Sequence, residues 1–419
     1  MKILLLNTFA HYGGASIACR RLQVALNQSQ LTTTRLLTRD MTTDFGQITA
    51  GELGYWGKKR AFLRFVTERL QTRWAIRHKS LQYSFSPASR GQSLAKHAWV
   101  QEADVLHFHW TNFGFLSLKG LKELASLNKK MVWTLHDMWA FTGGCHYAGE
   151  CKGFLQHCGH CPILKNPKTN DLSSRVWKEK QAIFKDLQAR LQIVTCSKWL
   201  ADIAKESTLL KNFAIQNIPN PIDTEQFYLL NKTTLRKQFG IPADKFVLLF
   251  SAMNVGDTRK GLAYLIEALE LLYHQMPESR HRLALAIVGK SAEKDIKLLY
   301  PTYYLGSLAT PEAMNEAYNL ADAFVLPSLE DNLPNTIMEA MACGLPCVSF
   351  ATGGLPEMIT HQETGYLSTY KSAQSLADGV RFVFAHPNLA SLSLASRTFV
   401  QENYNQTKIA LAYQHIYQA

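Results

Sequence analysis

Short apolar runs alternate with longer segments of helical periodicity along the whole chain, and this alternation is the strongest constraint on its fold. Runs of this length with few polar residues are typical of strands that are buried on both faces of a sheet. Helical segments between such strands imply parallel βαβ units. The sequence therefore predicts an α/β protein with doubly wound parallel sheets. The runs are KILLLN (2–7), DVLHFHW (104–110), KMVWTLH (130–136), LQIVTCS (191–197), KFVLLFS (245–251), LALAIVG (283–289), AFVLPS (323–328) and PCVSF (346–350).

The series of runs is interrupted at IPNPIDTEQF (218–227), where two prolines and Asn220 indicate a turn-rich connection. We interpret this stretch as a linker, because 419 residues are enough for two ordinary domain cores. The predicted N-terminal domain covers 1–218 and is completed by a C-terminal helix at 399–419, and the second domain covers 219–398. Ligands bind at the carboxyl ends of parallel strands, so we expect the two domains to face a central ligand cleft.

Positive charge is concentrated in the N-terminal half. Residues 1–218 contain 30 Lys and Arg against 14 Asp and Glu, a net charge of +16, whereas residues 219–419 contain 15 against 19, a net charge of −4. A basic half indicates a phosphate-rich partner, which would be a nucleic acid, an anionic membrane surface or a pyrophosphate-linked substrate. No aromatic and basic motif of a nucleic-acid reader occurs, so we expect no nucleic-acid partner.

The segment KKRAFLRFVTERLQTRWAIRHK (58–79) mixes this positive charge with large apolar side chains. On a helical wheel Arg69 and Arg73 fall between the apolar positions, so the segment fits either a membrane-surface helix or a solvated basic helix. The apolar N-terminus is too short for a secretory signal, and no stretch reaches the roughly 18 apolar residues of a membrane span. We therefore expect a cytoplasmic protein, peripheral on the inner face of the plasma membrane if this segment binds lipid.

The stretch SLEDNLPNTIMEAMACGLPCV (328–348) places carboxylates between a buried strand and a helix predicted to begin at Asn335. The first helical N–H groups, at Asn335 and Thr336, have no intrahelical partner and suit a phosphate group. Glu339, one turn later, can accept two hydrogen bonds from a cis-diol such as that of ribose. The alternative is that the carboxylates before the helix only complement the helix dipole, while Glu339 is solvated.

This stretch resembles the signature of the retaining family-four glycosyltransferases of the bacterial surface-polysaccharide or colanic-acid type. In that signature an acidic residue, seven further residues and a Glu precede an Ala-Met-Ala-Cys-Gly helix end, and the matching pair here is Asp331 and Glu339. The family usually has Glu at the first position, so Asp331 is a departure, with Glu330 beside it. The run ATGGLPEMITHQETGYL (351–367) is similar to the family's Gly-Gly-x-Pro-Glu continuation. The resemblance implies the GT-B fold, in which two Rossmann-like domains face a central cleft.

The same resemblance implies how a nucleotide sugar would be held. Glu339 would bind the ribose of the nucleotide, and Asp331 would contact the donor sugar. The backbone groups of Asn332 and Leu333 would also contact the sugar, and those of Asn335 and Thr336 would bind the diphosphate.

Family members also carry an Arg, four further residues and a Lys-Gly pair, and SAMNVGDTRKGLAYLIEAL (251–269) matches this pattern in part. Lys260 matches the Lys, whereas Val255 stands at the Arg position. We expect Arg259 to supply the second positive charge, which a departing diphosphate needs because no Asp-x-Asp metal motif is present. The alternative is that Arg259 and Lys260 form a solvated pair at a helix start, where cations are unfavourable unless an anion lies nearby.

Two residues of the N-terminal half also match the family. Gly14 follows the first predicted strand in NTFAHYGGASIACRRL (7–22), and glycine there permits close approach of the backbone to a phosphate or acceptor. His136 follows the run at 130–135 and matches a family histidine that lies against the donor sugar. The alternative for His136 is a hydrogen-bonded histidine in a cleft wall, and His107 and His109 fit a structural role better.

Four of the eight cysteines lie in one short segment, GCHYAGECKGFLQHCGHC (144–161). The Cys-x-x-Cys spacing at its end is typical of metal ligands, and four thiolates would make a closed, structural zinc site. The alternatives are free thiols and, less compatible with a reducing compartment, a disulfide. The candidate zinc ligands are Cys145, Cys151, Cys158 and Cys161.

These patterns together predict a retaining, metal-independent glycosyltransferase that needs no cofactor for catalysis. Its expected partners are a nucleotide diphosphate sugar donor and an oligosaccharide or lipid-linked acceptor used in cell-surface polysaccharide biosynthesis. Two alternatives remain open at this point: a nucleotide-sugar-binding protein without turnover, and another GT-B activity such as an epimerase or a phosphorylase.

Overall fold

The computed structural model describes residues 1–29, 32–39, 55–187, 189–290 and 298–419. The chain divides into two compact units, Met1–Pro221 with Gln406–Ala419, and Ile222–Asn405. Within the described residues, each unit contains one six-stranded sheet, and all strand pairs in both sheets are parallel. This arrangement confirms the predicted α/β class with two Rossmann-like parallel sheets surrounded by helices.

The sheet of the first unit has the strand order β2-β1-β3-β4-β5-β6. Its interior strands are almost completely buried, which is the reason for their continuous apolar sequences. The strands are β1 (Lys2–Asn7), β2 (Thr33–Thr38), β3 (Val105–Phe108), β4 (Lys130–Leu135), β5 (Leu191–Thr195) and β6 (Ile215–Asn217). The helices before the linker are α1 (Gly14–Gln28), α2 (Tyr55–Ala75), α3 (Ala98–Glu102), α4 (Leu118–Ala125), α5 (Leu172–Leu187) and α6 (Lys198–Glu206). Short 3-10 helices lie at Lys79–Tyr83, Trp139–Phe141 and Gly153–Leu155.

The sheet of the second unit has the order β12-β11-β10-β7-β8-β9. Its strands are β7 (Phe246–Asn254), β8 (Leu283–Lys290), β9 (Thr302–Gly306), β10 (Ala323–Val325), β11 (Cys347–Phe350) and β12 (Gly365–Ser368). The helices are α7 (Lys232–Gln238), α8 (Leu262–Gln275), α9 (Ser279–Arg282), α10 (Pro311–Asn319), α11 (Asn335–Ala342), α12 (Ala373–Phe384) and α13 (Leu389–Asn403). Two 3-10 helices lie at Thr258–Lys260 and Leu355–Glu357.

The C-terminus differs from the single helix predicted at 399–419. Helix α13 ends at Asn403 and belongs to the second unit, and a separate helix, α14 (Gln406–Gln418), belongs to the first. The hydroxyls of Tyr417 and Tyr413 on α14 lie 2.7 Å from His107 Nδ1 and 2.9 Å from Thr134 Oγ1. These buried contacts attach the end of the chain to β3 and β4.

The boundary between the units lies at Pro221 and Ile222, inside the stretch 218–227 that the sequence marks as a linker. A helix that spans a membrane must be both long and apolar, and none of the described helices is both.

Candidate functional site

The clearest group of candidate residues in the second unit lies where β7 and β10 end. Lys260, in the 3-10 helix after β7, places its Nζ 2.5 Å from Asp331 Oδ2 in the loop after β10. The Ser328 hydroxyl donates to the same carboxylate oxygen at 3.1 Å. The backbone N–H of Leu329 donates to the carbonyl of Arg259 at 2.7 Å, so the two loops are also joined through their backbones. The structure thus brings together two of the predicted site residues that are 71 positions apart in sequence.

Glycines permit the close approach of these loops. Gly261 has φ +72°, and a Cβ built on it would lie 1.8 Å from the carbonyl oxygen of Pro327. Gly353 has φ +59°, and its Cβ would lie 1.9 Å from the carbonyl oxygen of Asp331. Both positions combine a left-handed backbone with a backbone contact that excludes any side chain. The turn that carries Lys260 and the loop that carries Asp331 therefore owe their positions to glycine.

The contact of Arg259 and the burial of Val255 show which cation the predicted site presents to Asp331. The guanidinium Nη2 of Arg259 lies 2.7 Å from Asp257 Oδ2, and this side chain is 44% exposed. Val255, at the position where the family has Arg, is buried with 3% exposure. Lys260 is therefore the cation that this turn presents to Asp331, whereas Arg259 pairs within its own turn.

Helix α11 begins directly after the Asp331 loop. Pro334 is its N-cap residue and makes no side-chain capping hydrogen bond, and the next two residues are Asn335 and Thr336. The loop residues before it, Asn332 and Leu333, are 3% and 7% exposed.

Glu339, one turn along α11, is 6% exposed and accepts a hydrogen bond from the Tyr318 hydroxyl of α10 at 2.8 Å. Tyr318 is a contact of this site that the sequence reasoning did not find.

In the first unit, Gly14 is the first residue of α1 and follows Gly13, whose φ is +92°. Gly13 is the N-cap of the helix, and its positive φ is a backbone conformation that side chains rarely adopt. Gly13 is therefore the position whose backbone conformation requires glycine, whereas at Gly14 glycine only avoids a side chain.

His136 lies just after β4 in a buried group of imidazoles. Its Nε2 is 3.0 Å from His109 Nδ1, and its Nδ1 is 3.6 Å from Cys196 Sγ. Burial lowers the pKa of His136 to about 4 and that of His107 to about 3, and it also lowers the pKa of His109. The three rings are therefore neutral at pH 7. Because both nitrogens of His136 face protein groups, a ligand beside it would meet a ring edge or the backbone.

Asp137, which the sequence reasoning did not select, orients the segment after β4. Its Oδ2 accepts from His146 Nδ1 at 2.7 Å and from Trp110 Nε1 at 2.8 Å, and its Oδ1 accepts from the Trp139 N–H. Burial alone would raise the pKa of Asp137, but His146 and these donors outweigh it and hold the pKa below its usual range. The only available signal was its position, directly after His136.

The cysteine segment lies between the 3-10 helix at 139–141 and α5. All four of its cysteines are free thiols, and the Gly143 N–H donates to Cys158 Sγ at 3.0 Å. Burial raises the pKa of Cys158 to about 11. Nearby, the Lys180 ammonium is buried, donates to the carbonyls of Trp139 and Thr142, and has its pKa lowered by burial to about 7. Among the described residues, no three Cys, His, Asp or Glu side chains are assembled as a group that could hold a metal ion.

Helix α2 contains most of the basic segment, and it buries charged side chains while exposing large apolar ones. Glu68 and Arg69 are buried, and Arg69 donates to the carbonyls of Gln82 and Phe85 and pairs with Glu68 at 3.0 Å. The expectation that Arg69 interrupts an exposed apolar face was wrong, because this guanidinium points to the inside. The exposed side instead carries large apolar side chains, with 67% exposure for Phe62, 61% for Leu63, 53% for Leu70 and 78% for Trp74.

Comparison with known proteins identifies the class to which this fold and site belong. Residues 53–226 match the family model described as Glycosyltransferase Family 4, and residues 231–393 match that described as Glycosyl transferases group 1. The two matches cover most of both units, so the chain is a GT-B protein. It belongs to the family-four type of glycosyltransferases, as the motifs at 328–367 predicted.

Individual relatives are similar to parts of the chain. N-acetyl-alpha-D-glucosaminyl L-malate synthase of Bacillus anthracis is 26% identical over 215 residues, 49% of this chain and 54% of that protein. The putative colanic acid biosynthesis glycosyl transferase WcaC of Escherichia coli (strain K12) is 26% identical over 267 residues, 61% of this chain and 62% of that protein. The chain thus spans between half and two thirds of the length of these curated relatives.

A solved structure has a similar fold. Anabaena Alr3699/HepE in complex with UDP-glucose superposes with a TM-score of 0.61 at 16% identity, and 99% of each chain is covered.

Proposed function

We propose that this protein is a retaining glycosyltransferase that transfers a sugar from a nucleotide diphosphate sugar to an oligosaccharide or lipid-linked acceptor. The observation that carries the proposal is the Lys260–Asp331 ion pair at the ends of β7 and β10, directly before α11. Family membership and the likeness to a structure titled as a UDP-glucose complex support a nucleotide-sugar donor. The relative named for colanic acid biosynthesis supports a role in surface-polysaccharide assembly.

The proposed chemistry follows from charge. When the glycosidic bond to the diphosphate breaks, negative charge develops on the leaving oxygens, and preorganised cations and N–H groups lower the barrier by meeting that charge. In the proposed reaction, Lys260 and the first N–H groups of α11, at Asn335 and Thr336, meet this charge without a metal ion. Asp331 positions the Lys260 ammonium and contacts the donor sugar, and Glu339 binds the ribose.

A second candidate is a nucleotide-sugar-binding protein without turnover. The observation that favours it is the buried Val255 in place of the family's Arg, which removes one cation from the leaving-group site. The experiment that separates the two functions is incubation with a panel of nucleotide diphosphate sugars. Release of nucleoside diphosphate reports turnover, and proton NMR of the freed sugar shows whether the anomeric configuration is retained.

The proposal includes docking of α2 on an anionic membrane surface, which would bring the protein to a lipid-linked acceptor. Exposed apolar side chains on a soluble protein's helix mark an interaction surface. On α2 they lie beside exposed Lys59 and Arg73, and Arg77 is exposed just after the helix. Apolar residues interspersed with cations match an anionic lipid surface in both its hydrophobic and its charged layer.

Reversing three of these cations tests the docking. The triple variant Lys59→Glu, Arg73→Glu, Arg77→Glu should lose binding to vesicles of phosphatidylcholine with phosphatidylglycerol in a flotation assay, because each basic residue contributes about 1 kcal/mol near such a surface. Arg69 is left intact because it is buried. The matched control reverses three exposed cations of α5, Arg175, Lys178 and Lys185, and should retain binding. Equal binding by both triple variants would refute the docking surface.

A structural zinc ion bound by Cys145, Cys151, Cys158 and Cys161 is also part of the proposal. Burial raises the pKa of Cys158, but two features act in the opposite direction and would stabilise a metal-bound thiolate: the Gly143 N–H directed at Cys158, and the nearby Lys180. A tetrathiolate zinc centre carries a net charge of about −2, which a buried ammonium would offset. The four side chains would have to turn toward a common point to bind the ion.

Metal analysis of the purified protein tests the zinc site. We expect about one zinc per chain by elemental analysis, and loss of that zinc in Cys158→Ser with Cys161→Ser. The matched control, Cys343→Ser in the second unit, should keep the metal. Protein purified without chelators that contains no zinc would remove the proposal.

A further inference from the structure

The contact between helices α10 and α11 suggests a role that no motif in the sequence marks. Tyr318 is buried near the end of α10, with ring contacts to Phe227 and Phe324 at centroid distances of 6.2 and 5.8 Å. These rings fix the direction of its hydroxyl, which donates to Glu339 Oε2 at 2.8 Å. Directly after the end of α11, the Cys343 thiol donates to Asn315 Oδ1 of α10 at 3.0 Å. Two side-chain hydrogen bonds therefore fix the register of the two helices around Glu339.

We infer that Tyr318 is a positioning residue that orients the Glu339 carboxylate for a ribose cis-diol and thereby sets a preference for ribonucleotides over deoxyribonucleotides. The inference rests on the proposed function, in which Glu339 binds the ribose. A carboxylate has about four acceptor positions on its two oxygens, so accepting from Tyr318 is compatible with accepting from a diol.

Orientation matters because a glutamate side chain has several rotatable bonds. Fixing such a side chain at the moment of binding costs conformational entropy, and a carboxylate that is already held avoids this cost. The Tyr318 hydroxyl donates to one oxygen of the Glu339 carboxylate, and Glu339 is 6% exposed. The carboxylate therefore has little room to reorient. The expected consequence is tighter binding of ligands that present both ribose hydroxyls in the matching geometry.

Calorimetry with nucleoside diphosphates tests this inference without an acceptor. The Kd values of UDP, GDP and ADP are compared with those of their 2′-deoxy forms for the wild type, for Tyr318→Phe and for Glu339→Gln. For the base that binds best, the wild type should prefer the ribose form at least tenfold. Tyr318→Phe should reduce that preference about fivefold, because one hydrogen bond to the carboxylate is lost.

Tyr413→Phe is the matched control, because it removes another buried tyrosine hydroxyl, bonded to Thr134 in the first unit. It should lower the Tm by a similar amount but leave the ribose preference unchanged. In the double variant Tyr318→Phe, Glu339→Gln, the tyrosine change should have no further effect.

If Glu339→Gln loses the ribose preference while Tyr318→Phe keeps the wild-type value, the role of Tyr318 is refuted and the donor site stands. If Glu339→Gln itself keeps the preference, the assignment of Glu339 to the ribose is wrong. That second result would overturn the proposed donor site and the inference with it.

Discussion

Replacing Lys260 by Ala should lower kcat by about 100-fold to 1000-fold while changing the donor KM much less. The reason is that Lys260 would meet negative charge that develops only as the diphosphate leaves, and losing one such preorganised group typically costs this factor in turnover. An interaction made only in the transition state changes kcat rather than ground-state binding. Steady-state kinetics with the correct nucleotide sugar measures both parameters.

Lys232→Ala is the matched control for this experiment. Lys232 is also paired with an aspartate in the same unit, with its Nζ 2.7 Å from Asp322 Oδ1. Asp322 keeps a second cation, Arg236, so the variant loses an ion pair without leaving an unpaired carboxylate. We expect wild-type kcat for Lys232→Ala. A Lys260→Ala enzyme with near wild-type kcat would show that the leaving-group site is elsewhere.

Replacing Gly261 by Ala should both destabilise the second unit and remove most of the activity. The new Cβ would lie 1.8 Å from the Pro327 carbonyl oxygen, so the turn at Thr258–Lys260 must move away from the loop that carries Asp331. Misplacing a catalytic group by about 1 Å can cost on the order of 100-fold in rate. We expect a comparable loss of kcat, together with about 3 kcal/mol of stability, in kinetic and thermal-unfolding measurements.

Gly240→Ala is the control that separates the effect of the steric clash at Gly261 from the effect of the left-handed backbone. Gly240 also has a left-handed backbone, with φ +66°, but a Cβ there would meet nothing within 4 Å. This control should cost only about 1 to 2 kcal/mol for the left-handed conformation, and kcat should be unchanged. If the two variants lose equal stability and equal activity, the close approach of Gly261 to Pro327 has no special role in the site.

The sequence predicted the interior of each sheet better than its edges. Each of the eight apolar runs overlaps an observed strand, but β2, β6, β9 and β12 were not predicted. All four are edge strands. An edge strand has only one strand neighbour and is often partly exposed, so its sequence need not be continuously apolar, as TYYLG in β9 and IQN in β6 illustrate.

The candidate site residues could be read from the sequence where they are close together in it. Asp331 and Glu339 lie in one strand-to-helix stretch, so their spacing was readable, whereas the contact of Glu339 with Tyr318 depends on how two helices pack. The orientation of the Arg69 side chain was predicted wrongly for a related reason. A helical wheel shows which residues share a face, but two carbonyls that accept hydrogen bonds from Arg69 come from the segment after α2, at Gln82 and Phe85.

Turnover of a nucleotide diphosphate sugar is the most direct test of the account. The purified chain is incubated with UDP-, GDP-, ADP- and dTDP-sugars without added divalent metal ions and again with added Mg²⁺, with water as the acceptor, and the release of nucleoside diphosphate is followed over time. We predict slow release from one of these donors, not increased by Mg²⁺, and about 100-fold slower release with Lys260→Ala. Tight binding of a nucleotide sugar with no release above the Lys260→Ala background would contradict the account and identify a binding protein.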